Sequence, residues 1–272
     1  MRALQADGLT QRQACRLISC TRSTLSYRSK RPSDEPIAAK MRELAMQRPR
    51  WGWRRLKILF EREKLPVGYD RFLRIYRANG LQVWPRKKRK VRYIRGTAIA
   101  PATRPNERWS VDFMHDRLTN GRTVRAMNIV DDFTRECLAL EIGFSFGSHD
   151  VIRCLEDLAF ERGFPEMIRF DHGSEFTSHA MLRWSAERSI ALRFSDPGKP
   201  TQNAHIESLN GRIRDELLNT QVFVTIFEAR RAAAEWRADY NDIRPHSSLG
   251  KLTPREFAER YKINPPSQLS VA

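Results

Sequence analysis

The 272-residue chain contains no run of about 18 consecutive apolar residues, which excludes a membrane-spanning helix. The opening Met1-Arg-Ala-Leu-Gln-Ala-Asp7 has no apolar stretch of the secretory type, so no export signal is expected. The four cysteines, Cys15, Cys20, Cys137 and Cys154, show no C-x-x-C spacing and read as reduced thiols of a cytoplasmic protein. Acid is scarce in the first part of the chain. Residues 1–105 hold 7 Asp and Glu against 27 Lys and Arg, whereas the remainder holds 25 against 22. The formal charge of +17 is therefore concentrated in one half, while 40% hydrophobic residues are enough to build a core.

A strongly basic half has a natural partner in a polyanion, because each phosphate contact releases condensed counterions. A merely solubilising charged surface is the competing reading. Arginine supplies 20 of those 27 cations, and its planar fork suits bidentate phosphate contacts. Nucleic acid is the expected partner.

Residues 1–31 read as a helix-turn-helix-like segment. Thr10 caps a helix carrying Ala14, Leu17 and Ile18 on one face, and a second helix rich in Ser, Thr and Arg follows Thr21. Pro32-Ser33-Asp34-Glu35-Pro36 is a linker by composition. A second such segment, residues 37–82, contains a helical pair. Trp51, Leu56, Leu59 and Phe60 mark one helix, and Phe72, Ile75 and Tyr76 mark another that Asn79-Gly80 closes. A linker over 83–105 carries the basic run from Pro85 to Arg92, which has no apolar face and suits phosphate contact without base reading. The DNA contacts expected here are Arg54, Arg55, Arg86, Lys87, Lys88, Arg89 and Lys90.

Over residues 106–265 the period changes. Trp109, Val111 and Phe113 alternate with Ser110, Asp112 and Met114, a half-buried strand. Thr119-Asn120-Gly121 is a hairpin turn into a strand over 123–130, and a third strand covers 137–142. A helix over 150–162, a strand over 167–170, a helix over 178–188 and a strand over 190–194 follow, then a final helical block. The expected class is α/β, a mixed five-stranded sheet flanked by helices and preceded by an all-α region.

Three carboxylates stand where the chain has little structural use for them. Asp112 sits mid-strand, opposite the Trp109/Val111/Phe113 face, and Asp171 ends the fourth strand at the sheet's carboxyl edge. Glu207 projects beside the Ile206/Leu209/Ile213/Leu217 stripe of its helix, with Asn203, Asn210 and Arg214 sharing its flank. Each alone has a bland reading as a cap or a turn. Together they ask for a hard divalent cation with oxygen ligands, Mg²⁺ held by carboxylates as in phosphoryl transfer, and beside a phosphate-binding half that points to cutting or joining nucleic acid.

The segments Trp109-Ser-Val-Asp112-Phe113, Asp171-His-Gly-Ser-Glu-Phe176 and Gly198-Lys-Pro-Thr-Gln-Asn-Ala-His-Ile-Glu207-Ser208 resemble the three catalytic blocks of DDE transposases and retroviral-type integrases. The 35 residues between Asp171 and Glu207 match that superfamily's spacing. Tyr240-Asn-Asp-Ile-Arg-Pro-His-Ser-Ser-Leu249 and Leu252-Thr-Pro-Arg-Glu-Phe257 resemble the end of its bacterial insertion-sequence branch, and Trp51-Gly-Trp-Arg-Arg55 through Leu81 resembles its upstream helix-turn-helix. The likeness covers about residue 10 to 260 and is to the second-frame product of two-frame elements, commonly made as a fusion with an upstream frame.

The resemblance implies a ribonuclease-H-like fold with Asp112, Asp171 and Glu207 as catalytic metal ligands for Mg²⁺, or Mn²⁺ in its place. It implies Arg214 as a contact to terminal DNA, and double-stranded DNA (element terminal repeats and target) as partner. Holding two ends at once implies a homo-oligomer on DNA, and the protein is expected in the cytoplasm, nucleoid-associated when DNA-bound, with no membrane. All six histidines lie at or beyond His115, so no zinc module of the retroviral kind is expected in the first half. Asp131-Asp132 reads either as an extra ligand or as turn chemistry. His172, His205 and His246 lack paired zinc spacing and read as hydrogen-bonding groups. Glu175 reads as site support or a helix cap, Ser174 has no activating base, and Trp84 could stack on a base. Two other functions remain open: a non-transposing Mg²⁺-dependent nuclease, and a DNA-binding regulator with a passive catalytic domain.

Overall fold

Strands buried on both faces over most of their length build one mixed sheet. In a computed structural model that describes residues 10–27, 33–83, 100–170, 176–194 and 204–263, its strands are β1 (Arg108–Arg117), β2 (Thr123–Asp131), β3 (Cys137–Gly143), β4 (Met167–Phe170) and β5 (Ala191–Phe194). They lie in the order β3-β2-β1-β4-β5. β1 and β2 pair antiparallel from Trp109↔Asp131 to Arg117↔Thr123, joined by the expected turn, where Gly121 takes a φ of +80° open to glycine. β3 pairs antiparallel with β2, with an irregularity at Ile129/Val130, while β4 runs parallel to both β1 and β5.

Parallel pairing requires helical crossovers, supplied by α6 (Ser148–Arg162) and α7 (His179–Glu187). They cover one sheet face over Trp109, Val111, Met127, Ile129, Ile168 and Phe170. The opposite face, with Met114, Ala126, Val130, Leu140 and Ile142, packs under α8 (Ala204–Ile213), a π-helical turn (Arg214–Leu218) and α9 (Ile226–Asp242). This is the ribonuclease-H-like arrangement. A closing helix α10 (Pro254–Ile263) packs beside α9.

The helical half departs from the expected pattern in three places. First, Glu35 and Pro36 belong to a helix and not to a linker. α3 runs Glu35–Gln47, with Asp34 at its N-cap and Pro36 in the first turn, where a missing N–H costs nothing. With α4 (Trp53–Arg62) and α5 (Tyr69–Ala78), it makes three helices around Met41, Leu56, Phe60, Phe72, Ile75 and Tyr76 in place of a pair. Arg71 and Arg74 both reach Asp34 at 2.8 Å and tie α5 to the start of α3. Second, Trp51 lies before α4, buried but outside the helix, because Gly52 is the N-cap. Third, α1 (Gln11–Leu17) has the predicted Thr10 cap, reinforced by Gln13, but buries Ala14 and Cys15 and leaves Leu17 and Ile18 exposed. α2 (Arg22–Ser26) is only five residues long and too short to cover that face. The basic run and Trp84 lie outside the described residues.

Candidate active site

β1 places Asp112 by simple alternation. Trp109 and Val111 are buried on the α6/α7 face, so Ser110, Asp112 and Met114 take the opposite face, as the alternation predicts, and that face is the one α8 covers. Asp112 lies directly opposite Asn128 of β2. Ile206, Leu209 and Ile213 bury α8 on the sheet at 1% exposure or less, and this fixes the roll of the helix. Its flank then carries Glu207 and, one turn on, Asn210. The Asn210 amide donates to Asp112 Oδ2 at 2.5 Å, and Asn128 Nδ2 donates to Asn210 Oδ1. Asp112 Oδ1 also accepts from the Phe113 amide at 2.8 Å. Glu207 lies three residues before Asn210, so the two are neighbours on that flank.

Glu207 has no ion pair or hydrogen bond among the described residues, and desolvation alone pushes its carboxyl pKa up. The buried Asn128 Oδ1 has no partner among the described residues. Asp112, Glu207 and the unmet Asn128 amide offer only oxygen donors. That chemistry fits a hard cation such as Mg²⁺ and fits zinc poorly. Among the described residues no three such ligands converge; Asp171 follows Phe170, the last residue of β4, and lies outside them, as do Asn203, His172, Ser174 and Glu175.

The paired aspartates after β2 do something else. Asp131 is wholly buried and accepts from the backbone amides of Asn106 (2.9 Å), Phe133 (2.8 Å) and Thr134 (3.0 Å), which is turn chemistry. Asp132 accepts from Arg108 Nε at 2.7 Å and from Ser110 Oγ at 2.9 Å, with Arg169 at 3.8 Å. Ser110 shares the face of Asp112, so this buried ion pair braces the strand that carries the site. Sequence reasoning missed Arg108, Arg169 and Asn128. A polar Asn in the buried run Ala126-Met-Asn-Ile-Val130 was the available signal.

The other expected contacts are scattered. Arg214 opens the π-helical turn, exposed, with Nη2 3.4 Å from the His115 carbonyl beside the outer half of β1. The wider turn lets Leu217 and Leu218 both bury, and such turns recur at functional sites. Arg54 is exposed on α4 and stacks on Trp53, whereas Arg55 is half-buried between α4 and the sheet domain. Arg86, Lys87, Lys88, Arg89 and Lys90 lie outside the described residues. His205 is half-buried and its pKa is lowered, chiefly by desolvation and then by Arg135, so it is neutral near pH 7. The buried Nε2 of His246 has no partner among the described residues.

No described helix is long and apolar enough to cross a membrane. Two family models of an integrase core domain match residues 102–200 and 188–254, and a model of an HTH-like domain matches 32–89. The chain is 44% identical over 256 residues to an uncharacterized 31.7 kDa protein of insertion element IS407 from Burkholderia multivorans, covering 94% of this chain and 92% of the relative. It is 28% identical to the putative transposase InsK of insertion sequence element IS150 from Escherichia coli, covering 77% of this chain and 78% of that protein. Among solved structures, a chain of the simian T-cell lymphotropic virus intasome superposes with a TM-score of 0.53 at 17% identity, covering 86% of this chain and 77% of that one. At that identity the likeness is one of fold.

Proposed function

The chain belongs to the insertion-element transposases of the integrase superfamily, and from that premise we propose that it is a divalent-metal-dependent polynucleotidyl transferase. It cuts a DNA strand at the ends of its own element and joins the freed 3′-hydroxyl to a target phosphodiester. Asp112, Asp171 and Glu207 would hold Mg²⁺, with Mn²⁺ as a substitute. The bound ions supply nucleophile activation and charge stabilisation at the leaving oxygen. In cleavage, water forms a bond to phosphorus and the 3′-oxygen leaves as a hydroxyl. In joining, that hydroxyl attacks a target phosphorus and displaces the target's own 3′-oxygen.

The chain's own groups prepare the reaction. Asn210 holds the Asp112 carboxylate, Asn128 holds Asn210, and Arg214 stands on the same helical flank to take a phosphate of the terminal DNA. Asn203 and the cations at 54, 55 and 86–90 complete the DNA surface. Two ends joined in one event call for at least two copies on DNA, acting in the cytoplasm where the DNA lies. The observation that supports this reading is the Asn210–Asp112 bond, which joins β1 to α8, the helix that also carries Glu207 three residues before Asn210.

The experiment is joining of labelled element ends to target DNA in Mg²⁺ or Mn²⁺, by wild type and by Glu207→Gln. Joining lost in the variant supports the reading, and equal joining by both removes it. Cutting without joining by the wild type would indicate the nuclease.

A further inference from the structure

A second cluster of cations lies away from the carboxylates. A cavity of about 340 Å³ opens between α4 and the sheet domain, in the size range of ligand pockets. Its polar lining includes Arg54 and Arg55 from α4, Arg212 from α8, and Arg244, His246 and Lys251 from the segment after α9. No acidic side chain lines it among the described residues. Glu216 reaches Arg244 from outside the cavity and forms an ion pair with it. Arg212 spends one N–H on the Tyr240 hydroxyl at 3.1 Å.

Two groups in this cavity are unspent. The Arg55 guanidinium makes no hydrogen bond or ion pair among the described residues, although it is half-buried. Burial, with Arg244 next, lowers its pKa to about 10, so it stays charged near neutrality. His246 is 4% exposed, packs edge-on to Tyr240 at 4.9 Å, and leaves Nε2 without a partner. Burial and then the surrounding arginines lower its pKa to about 2, so it is a neutral ring that can present an N–H. Buried cations and donors held without an acceptor cost free energy unless an anion answers them.

From this arrangement we infer that the cavity binds a phosphodiester of the DNA backbone, clamped between Arg55 and His246 with Arg212 alongside. The inference rests on the transposase reading and deepens it, since one phosphate gripped here ties the helical region to the catalytic sheet. Such a contact positions DNA and carries no base information. The helical region's arginine at position 55 thus serves the seam between the two units, while Arg54 remains on the surface.

The test uses the full chain and a random-sequence duplex, with affinity measured across a salt series. Arg55→Gln is expected to weaken binding roughly tenfold, the loss of one charge-assisted contact, and to lower the log–log salt slope by about 1. Arg55→Lys is expected to recover part of both. Without DNA, Arg55→Gln should melt at or above the wild-type temperature, because an unpaired half-buried cation has gone. A lowered melting temperature would make Arg55 a structural residue and overturn the proposal. Inorganic phosphate is the second probe. If it stabilises the wild type while Arg55→Gln leaves the DNA salt slope unchanged, the cavity is a free-anion site and the proposal fails. An unchanged slope with joining of element ends intact sinks the seam site alone. Failure of the wild type to bind duplex DNA at all sinks both readings.

Discussion

Asn210 of α8 donates to Asp112 of β1 at 2.5 Å, across 98 residues of sequence. The bond is the visible join between the strand and the helix that carry the candidate ligands. Asn128, opposite Asp112 in the sheet, holds Asn210 from its other side. A carboxylate oriented in this way keeps one direction for a cation instead of several.

Asn210→Ala should therefore lower joining about 10- to 100-fold, the usual cost of removing a group that orients a metal ligand. The loss should shrink as Mn²⁺ is raised, and DNA affinity should stay the same. Joining rates measured against metal concentration check this; a loss that metal cannot offset would place Asn210 on the substrate.

Asp132 is the counter-charge of Arg108 and, at longer range, of Arg169, both buried beneath the site. Removing one partner of a buried pair strands the other, at about 3–5 kcal/mol. Asp132→Ala should destabilise by about that amount in denaturant unfolding, and a change within about 0.5 kcal/mol, the range of ordinary surface substitutions, would show that the pair is not the brace described.

His246 gives the fold an acid-side sensitivity. Its unfolded imidazole protonates near pH 6.5, but in the fold only near pH 2, because it is buried and faces Arg212, Arg244, Arg55 and Arg135. Between those values the unfolded state binds the extra proton, so stability is full above about pH 6.5 and falls as pH drops below it. The variant His246→Gln should close the gap to wild type, or overtake it, as pH is lowered from about 7.5 to about 5 in unfolding titrations. A gap that does not change with pH would contradict the assignment.

Much of the sheet was legible because β1 alternates and turn signals such as Thr119-Asn120-Gly121 bound the apolar runs. Alternation over Trp109–Met114 placed Asp112 opposite the Trp109/Val111/Phe113 face, and the Ile206/Leu209/Ile213/Leu217 stripe placed Glu207 and Asn210 on one flank. The bond between Asn210 and Asp112 was not legible, since it depends on how the helix docks across a long separation. α3 was hidden by Pro36, a residue that breaks helices in their interior but is tolerated in a first turn. Tyr240-Asn-Asp-Ile-Arg-Pro-His246 reads as a family signature and gives no role from spacing alone. In the structure Asn241 bonds the Cys137 amide and carbonyl, both at 2.9 Å, and so pins α9 to β3. Arg244 and His246 turn to the seam cavity.

A shared divalent ion is the centre of the account, and Mn²⁺ bound to the full chain can be counted directly by electron paramagnetic resonance. Asp112→Asn and Glu207→Gln should each abolish the same bound Mn²⁺ signal, and the double variant should lose no more than either one. Signals lost separately and additively, or a signal that survives Glu207→Gln unchanged, would mean that the two carboxylates do not hold one ion.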